Sequence, residues 1–360
     1  MKKIFLRAYF NTNLGDDLFI DLICKRYSDY SIFMIDNKNY HFLKKRNKNI
    51  NIISNFVLSL YNKLIRKLNL INLYSSNYFV KRADLLIIIG GSMFIEKETE
   101  NFYDKLYYNY FNLNSNVFVI GSNFGPYKND DFLIKYKKIF KNCKQVTVRD
   151  ENSYNLFKDD LNNLVYAPDL IFGYNKYLPK NVKEENQIFV SVINLKGREK
   201  LFKYYDSYIN YLTSIFNYFI SKNYKIVISS FCKNEGDEEI TELFKRKYTD
   251  NIEIINYNGN IDDILINILK SKFVVGTRFH SIILGFLSNK YVLPISYSNK
   301  TDNLLSDLNF NGVMYKIENL PTCETNFDIF FSENQKLNNI NEYVKNSENH
   351  FVELDKLIKG

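Results

Sequence analysis

The chain has 360 residues, long for one domain and comfortable for two, with 46% hydrophobic and 24% charged residues, the composition of a globular chain able to bury a core. Its net charge of +8 suits an anionic substrate or an anionic membrane surface, but the basic residues form no Arg-rich arm or zinc-finger spacing, which argues against nucleic acid. Cys24, Cys143, Cys232 and Cys323 lie far apart with no CxxC pair, so neither a zinc site nor a disulfide framework is expected, and no apolar run approaches the roughly 18–20 residues of a membrane span.

Residues 4–10 read as a strand and 11–15 as a turn, after which Asp16-Asp17 open a helix through Leu18, Ile20, Leu22 and Ile23. The start is basic and then apolar, without a small-residue cleavage site, so it reads as a first strand and not a signal peptide, and a cytoplasmic protein is expected. Two acids in a first turn complement the helix dipole. A second reading is that Gly15-Asp16 sits at the carboxyl end of the first strand, where α/β folds bind ligands. Residues 32–35 form a second strand. Residues 56–70 read as an amphipathic helix with Val57, Leu60, Tyr61, Leu64, Ile65 and Leu68 at helical spacing and Lys63, Arg66 and Lys67 among them. Such a helix packs on a core with a solvated basic face, or makes a peripheral contact with an anionic membrane.

Residues 85–89 are apolar throughout and end in Gly90-Gly91-Ser92, the pattern of a parallel strand covered on both faces. Residues 117–120 repeat it, ending in Gly121-Ser122-Asn123. A helix over 130–140 follows, then a strand over 145–148 ending in Arg149-Asp150, then residues 164–166 leading into Ala167-Pro168-Asp169. The pattern loosens between 174 and 187, around Pro179, and then resumes. Strands are expected over 188–193, 225–231, 252–255, 273–275 and 291–295, with helices over 204–219, 238–248 and 261–269. Strands alternating with helices in both halves predict two α/β domains with parallel sheets, residues 1–175 and 186–335. Residues 336–360 carry a last helix that could return to pack on the first domain.

The stretch 272–300, KFVVGTRFHSIILGFLSNKYVLPISYSNK, reads as strand, turn, helix, strand, loop. The turn places Thr277, Arg278 and His280 at a helix N-terminus on the carboxyl edge of a parallel sheet, and the loop after the next strand ends in Lys300. Three cationic or protonatable groups there suit an anion. The plainer alternative is an Arg and a His that cap a helix and pair with a surface carboxylate.

These turns, in this order, resemble the polysaccharide pyruvyl transferase family. The carriers are NLGDD at 13–17, IIIGGS at 87–92, IGSNFGP at 120–126, VRDENS at 148–153, APD at 167–169, SFCKNEGDE at 230–238, GTRFHS at 276–281 and YSNK at 297–300. Asp17 stands where the first motif usually ends in Glu, and Ser92 where a third Gly is common. The resemblance implies two Rossmann-like domains facing a cleft, as in the GT-B glycosyltransferases. It also implies transfer of pyruvate from phosphoenolpyruvate onto a sugar of a bacterial-type surface polysaccharide, or its lipid-linked precursor, as a ketal.

Phosphoenolpyruvate carries a carboxylate and a phosphate, which planar guanidinium groups bind bidentately. Arg149, Arg278, Thr277 and Lys300 are therefore the candidate donor-binding residues. His280, whose ordinary pKa of about 6.5 suits proton transfer at neutral pH, is the candidate acid, and Asp16 a candidate base. Gly15, Gly91, Ser92, Ser122 and Asn123 are expected on the acceptor side. No metal or other cofactor is required, and the Asp130-Asp131, Asp159-Asp160 and Asp262-Asp263 pairs read as helix-end or surface charge. Arg149 could instead form a structural ion pair with Asp169. Two other functions share the pattern: a nucleotide-sugar glycosyltransferase, with Glu235 and Asp237 gripping a ribose, or a non-catalytic relative in a glycan-assembly complex.

Overall fold

The computed structural model describes residues 2–36, 40–249, 251–320 and 327–359, so Cys323 lies outside the described residues. The chain divides into two compact units, one of Met1–Phe10, Asp16–Leu170 and Lys345–Gly360, the other of Asn11–Gly15 and Ile171–Val344.

The first unit runs β1 (Lys3–Arg7), α1 (Leu14–Arg26), β2 (Ser31–Asp36), α2 (His41–Arg46), β3 (Ile50–Ser54), α3 (Asn55–Lys67), α4 (Ser75–Arg82), β4 (Leu85–Ile89), α5 (Phe102–Leu113), β5 (Val117–Ser122), α6 (Asp130–Lys141), β6 (Gln145–Val148), α7 (Glu151–Phe157) and β7 (Leu164–Tyr166). Its seven strands are all parallel, in the order β3-β2-β1-β4-β5-β6-β7. Every residue of β4 is buried, as expected for a central strand covered on both faces. The strand order reverses between β1 and β4, which makes their carboxyl ends the natural ligand crevice of this sheet. Besides the short helices α2 and α4, two elements of this unit are not read from the sequence. One is β3, an edge strand reading INIIS. The other is α5, whose start is set by a capping box in which Asn101 accepts from the Tyr103 and Asp104 N–H groups and Asp104 accepts from the Asn101 N–H.

The second unit runs β8 (Gln187–Val192), α8 (Tyr205–Ser221), β9 (Lys225–Ser230), α9 (Asp237–Lys247), β10 (Ile252–Ile254), α10 (Ile261–Lys270), β11 (Phe273–Gly276), α11 (Phe279–Leu287), β12 (Tyr291–Ser296), α12 (Asn299–Asp307) and β13 (Tyr315–Lys316). Its strands are parallel in the order β10-β9-β8-β11-β12-β13, and the reversal falls between β8 and β11. The core on one side of this sheet is aromatic and aliphatic, centred on Tyr208, Phe216, Phe219, Phe244 and Phe273.

The single last helix expected from 336 is instead α13 (Ile340–Ser347) and α14 (Val352–Lys359), joined by a 3-10 turn over Glu348–Phe351. Residues from Lys345 belong to the first unit. Arg26 fastens them there through Glu348 at 2.6 Å and Asp355 at 2.7 Å, with its guanidinium 4.1 Å over the Phe351 ring. No helix among the described residues is long and apolar enough to cross a membrane.

Candidate functional site

In the second unit the expected turn falls at the reversal of strand order. β11 ends at Gly276, beside the end of β8. The Ser191 hydroxyl accepts the Thr277 and Arg278 N–H groups at 3.1 Å each and lies 2.6 Å from Ser281 Oγ, which in turn donates to the Arg278 carbonyl. These bonds hold the turn rigid and start α11. Thr277 is fully buried and its hydroxyl lies 2.9 Å from Tyr208 Oη, so its side chain supports the turn from inside.

Arg278 is only 5% exposed. Its Nε donates to Asp237 Oδ2 at 2.7 Å, its Nη1 to Glu235 Oε2 at 2.7 Å, and its Nη2 pairs with Asp237 as well. Asp237 also accepts the Asn194 N–H, so only donors face it, a set that an ionised carboxylate satisfies best. Burial pushes the Asp237 carboxyl up against the pull of Arg278. Burial also raises Glu235, but the Arg278 and Arg198 guanidinium groups outweigh it and hold that carboxyl below its ordinary value. Arg198, which sequence reasoning passed over, binds the same Glu235 Oε2 and lies over the Tyr297 ring at 5.1 Å. Two guanidinium groups thus share one carboxylate oxygen, and Glu235 is a third exposed. Lys300, expected in a loop, stands exposed in the first turn of α12, at the carboxyl end of the strand next to β11.

Gly15 was expected on the acceptor side of the first domain. The structure places it in the second unit instead, where Asn13 bridges to Cys232 and the Leu14 N–H donates to the Phe231 carbonyl. The His280 imidazole packs on the bare backbone of Gly15: a Cβ there would stand 1.7 Å from His280 Nδ1. Glycine is required here by that close approach. Asp16, the next residue, is half-buried and belongs to the first unit.

In the first unit four strand ends converge on Arg149. Its Nη1 donates to Asp169 Oδ2 at 2.6 Å and its Nη2 to Asn123 Oδ1 at 3.0 Å. A Cβ on Gly91 would meet that Nη2 at 2.3 Å, so the second glycine of the turn makes room for the guanidinium. The Ser122 hydroxyl donates to the Gly90 carbonyl at 2.6 Å, and Ser92 Oγ lies 3.4 Å from Asn123 Oδ1. The structure therefore brings Gly91, Ser92, Ser122, Asn123 and Arg149 into one cluster, with Arg149 in the ion pair to Asp169.

His350 underpins this cluster and was not singled out in the sequence. It is fully buried, with Nδ1 2.7 Å from Thr147 Oγ1 and Nε2 2.7 Å from the Pro168 carbonyl. The Pro168 carbonyl can only accept, so the neutral ring carries its proton on Nε2, and the Thr147 hydroxyl, which also accepts the Gly121 N–H, donates to Nδ1. Burial pushes this imidazole down to about 4. The ring holds the residues that precede Arg149 and Asp169.

Beside the reversal of the first sheet lies a cavity of about 310 Å³, whose lining includes Arg7, Tyr9, Phe10, Tyr74, Tyr103 and Tyr107. Among the described residues Arg7 has no carboxylate partner and rests 5.6 Å from the Phe10 ring centre. The Tyr107 hydroxyl is buried without a hydrogen-bond partner. Buried polar groups are normally satisfied, so the Tyr107 hydroxyl is an exception, and the partly exposed Arg7 stands beside it on the same cavity wall.

The fold is similar to that of UDP-GlcNAc 2-epimerase from Neisseria meningitidis bound to UDP-GlcNAc, with a TM-score of 0.60, 10% identity and 100% of each chain covered. It is also similar to Anabaena Alr3699/HepE in complex with UDP and glucose, with a TM-score of 0.57, 11% identity, and 100% of this chain and 99% of that chain covered. A glycosyltransferase from Rickettsia africae ESF-5 gives a TM-score of 0.53 at 15% identity, over 99% of this chain and 97% of that one. At such identities the likeness establishes a GT-B-type pair of Rossmann-like units and nothing about substrate. Comparison with curated protein sequences gives no match. The family model of polysaccharide pyruvyl transferase, however, matches residues 13–299, a span that contains both the Arg149 cluster and the turn of Arg278 and His280. The chain belongs to the polysaccharide pyruvyl transferase family.

Proposed function

We propose that this transferase moves pyruvate from phosphoenolpyruvate onto a sugar of a surface polysaccharide, or of its precursor, as a ketal. The observation that carries this reading is the pair Arg278 and Arg198 gripping one partly exposed carboxylate oxygen of Glu235, one residue before the helix that carries His280. That cradle is built for a small anion. A donor carboxylate or phosphate takes the place of Glu235 there, with Lys300 adding a third cation. Glu235 and Asp237, the acids a ribose would need, are held by Arg278 instead.

Ketal formation joins two sugar hydroxyl oxygens to the enol carbon, adds a proton to the methylene carbon to make a methyl group, and expels phosphate with the enol oxygen. The two hydroxyls release two protons, of which one goes to the methyl group and one to phosphate. His280 carries the proton to the methylene carbon, and its packing on Gly15 fixes the ring. Arg149 is assigned to the anionic end of the substrates, and Asp16 to removal of a hydroxyl proton. The sugar is assigned to the tyrosine-lined cavity, where rings offer stacking faces and Arg7 and Tyr107 offer donors. The enzyme works at the cytoplasmic stage of assembly, where phosphoenolpyruvate is available.

The test is to incubate the protein with phosphoenolpyruvate, and separately with nucleotide sugars, against a panel of sugar acceptors. Phosphate release that depends on both phosphoenolpyruvate and acceptor is expected. Nucleotide release from a nucleotide sugar, with no phosphate from phosphoenolpyruvate, would overturn the reading.

A further inference from the structure

The positive charge of this chain is not evenly spread. Residues 37–83 hold ten Lys and Arg and no Asp or Glu, whereas the whole chain has 48 basic and 40 acidic residues. Without this stretch the excess would be acidic. At its centre is α3, a helix with three distinct sectors. Asn62 and Ile65 are buried, and Asn62 Oδ1 accepts the Ser75 N–H at 3.1 Å, so this sector anchors the helix to the unit. Leu60, Leu64 and Leu68 follow at four-residue spacing and are 82%, 55% and 55% exposed. Lys63 and Lys67 form a third, solvent-exposed sector beside the leucines. Leu70 and Leu73, also exposed, extend the apolar surface past the helix end.

A core-packing helix buries its leucines. Here the burial is done by Ile65, and a continuous leucine stripe faces water, which is unusual for a surface that covers nothing. We propose that α3 is a docking face for an anionic bilayer, with the leucines entering the headgroup boundary and the surrounding cations neutralising lipid phosphates. Charge selects this occupant. A second copy docked on α3 would set Lys63 and Lys67 against like charges, while an anionic lipid surface complements both the apolar stripe and the charge. The Arg66 guanidinium also bonds the Tyr103 hydroxyl at 3.1 Å, which places this face next to the rim of the tyrosine-lined cavity. A sugar carried on a membrane lipid would then be presented to that cavity. The docking itself stands apart from the choice of donor.

The experiment is flotation of the purified full chain, without substrates, with vesicles of phosphatidylcholine alone or mixed with phosphatidylglycerol. Binding to the mixed vesicles, falling as salt rises, is expected. Lys63→Gln with Lys67→Gln should weaken it about 25-fold, taking roughly a fivefold loss per cation near an anionic surface. Leu60→Ser, Leu64→Ser and Leu68→Ser together leave the charge untouched and should abolish flotation, while the thermal unfolding midpoint stays at the parent value. Absent binding, equal binding to both vesicle types, or full binding by the leucine variant would overturn the proposal. A parent chain that does not float, but is dimeric and becomes monomeric in the leucine variant, would assign the stripe to a second copy. None of these outcomes bears on the phosphoenolpyruvate assay, so the two readings fail separately.

Discussion

At the scale of residues, the close approach of His280 to Gly15 gives the sharpest test of the proton-transfer role. Gly15 lies in the first turn of α1, where an alanine suits the helical backbone, so the cost of Gly15→Ala falls on the ring packed against it. Yet the new methyl group occupies the place of the imidazole, and the ring must move. Turnover should fall on the order of 10²–10⁴-fold, matching His280→Gln, because both remove the positioned acid. The double variant should be no worse than either single one, since the two changes remove the same interaction. Initial rates of phosphate release across the three variants check this. A Gly15→Ala protein with parent turnover would show that the ring position has no bearing on the chemistry. The sequence showed Arg278 and His280 as neighbours in a turn, but their partners come from three other segments: Gly15, Ser191 and the Glu235–Asp237 turn. No local pattern announces such partners.

At the scale of elements, the C-terminal segment is a strap that completes the first unit. Its buried His350 bonds Thr147 in β6 and the Pro168 carbonyl after β7, and Gln145 Nε2 donates to the Asn349 carbonyl at 3.1 Å beside it. A histidine buried in the neutral form links strap docking to pH. The unfolded chain takes up a proton at this residue below about 6.5, while the folded chain does so only near 4. Between those values the unfolded state binds more protons, so stability falls as pH drops through this window and is constant, for this group, above it. The full loss is about 3 kcal/mol. Urea denaturation midpoints measured from pH 7.5 to 4 should show this decline, and His350→Gln should flatten it relative to the parent. An unchanged slope in the variant would mean that other groups set the acid sensitivity. The sequence pattern foresaw a last helix returning to the first domain. It did not foresee the break between α13 and α14, because the break is set by the buried His350 and Phe351 in the turn between them and by the Arg26 ion pairs, all tertiary contacts.

At the scale of the whole molecule, donor binding should be visible as added stability, since a ligand that binds only the folded state stabilises it by mass action. At about 100 times its dissociation constant phosphoenolpyruvate should contribute about 2.7 kcal/mol, a rise of several degrees in Tm by thermal shift. UDP should give no such rise. Glu235→Gln removes the carboxylate that occupies the two-arginine cradle and should tighten phosphoenolpyruvate binding, whereas Arg278→Lys should weaken it because an ammonium cannot reproduce the planar fork. Weaker binding in Glu235→Gln would mean that this carboxylate organises the site and is not displaced from it.

The sequence by itself determined the class of fold and the places where chemistry could sit. Buried parallel strands are nearly continuous apolar runs, and the turns at their carboxyl ends carry glycine, so both signals are local and survive without neighbours. The family motifs are the same kind of signal. What only the tertiary structure decided is which turns meet. β1 lies beside β4, and β8 beside β11, through crossovers that chain order does not record. That adjacency put Ser191 under the Arg278 turn and opened the tyrosine-lined cavity at the end of β1. Folding of the short Asn11–Gly15 segment onto the second unit gave His280 its seat. Burial, likewise, is a property of the packed molecule: it left Leu60, Leu64 and Leu68 in water and took His350 out of it, although helical spacing alone would have placed the leucines in the core.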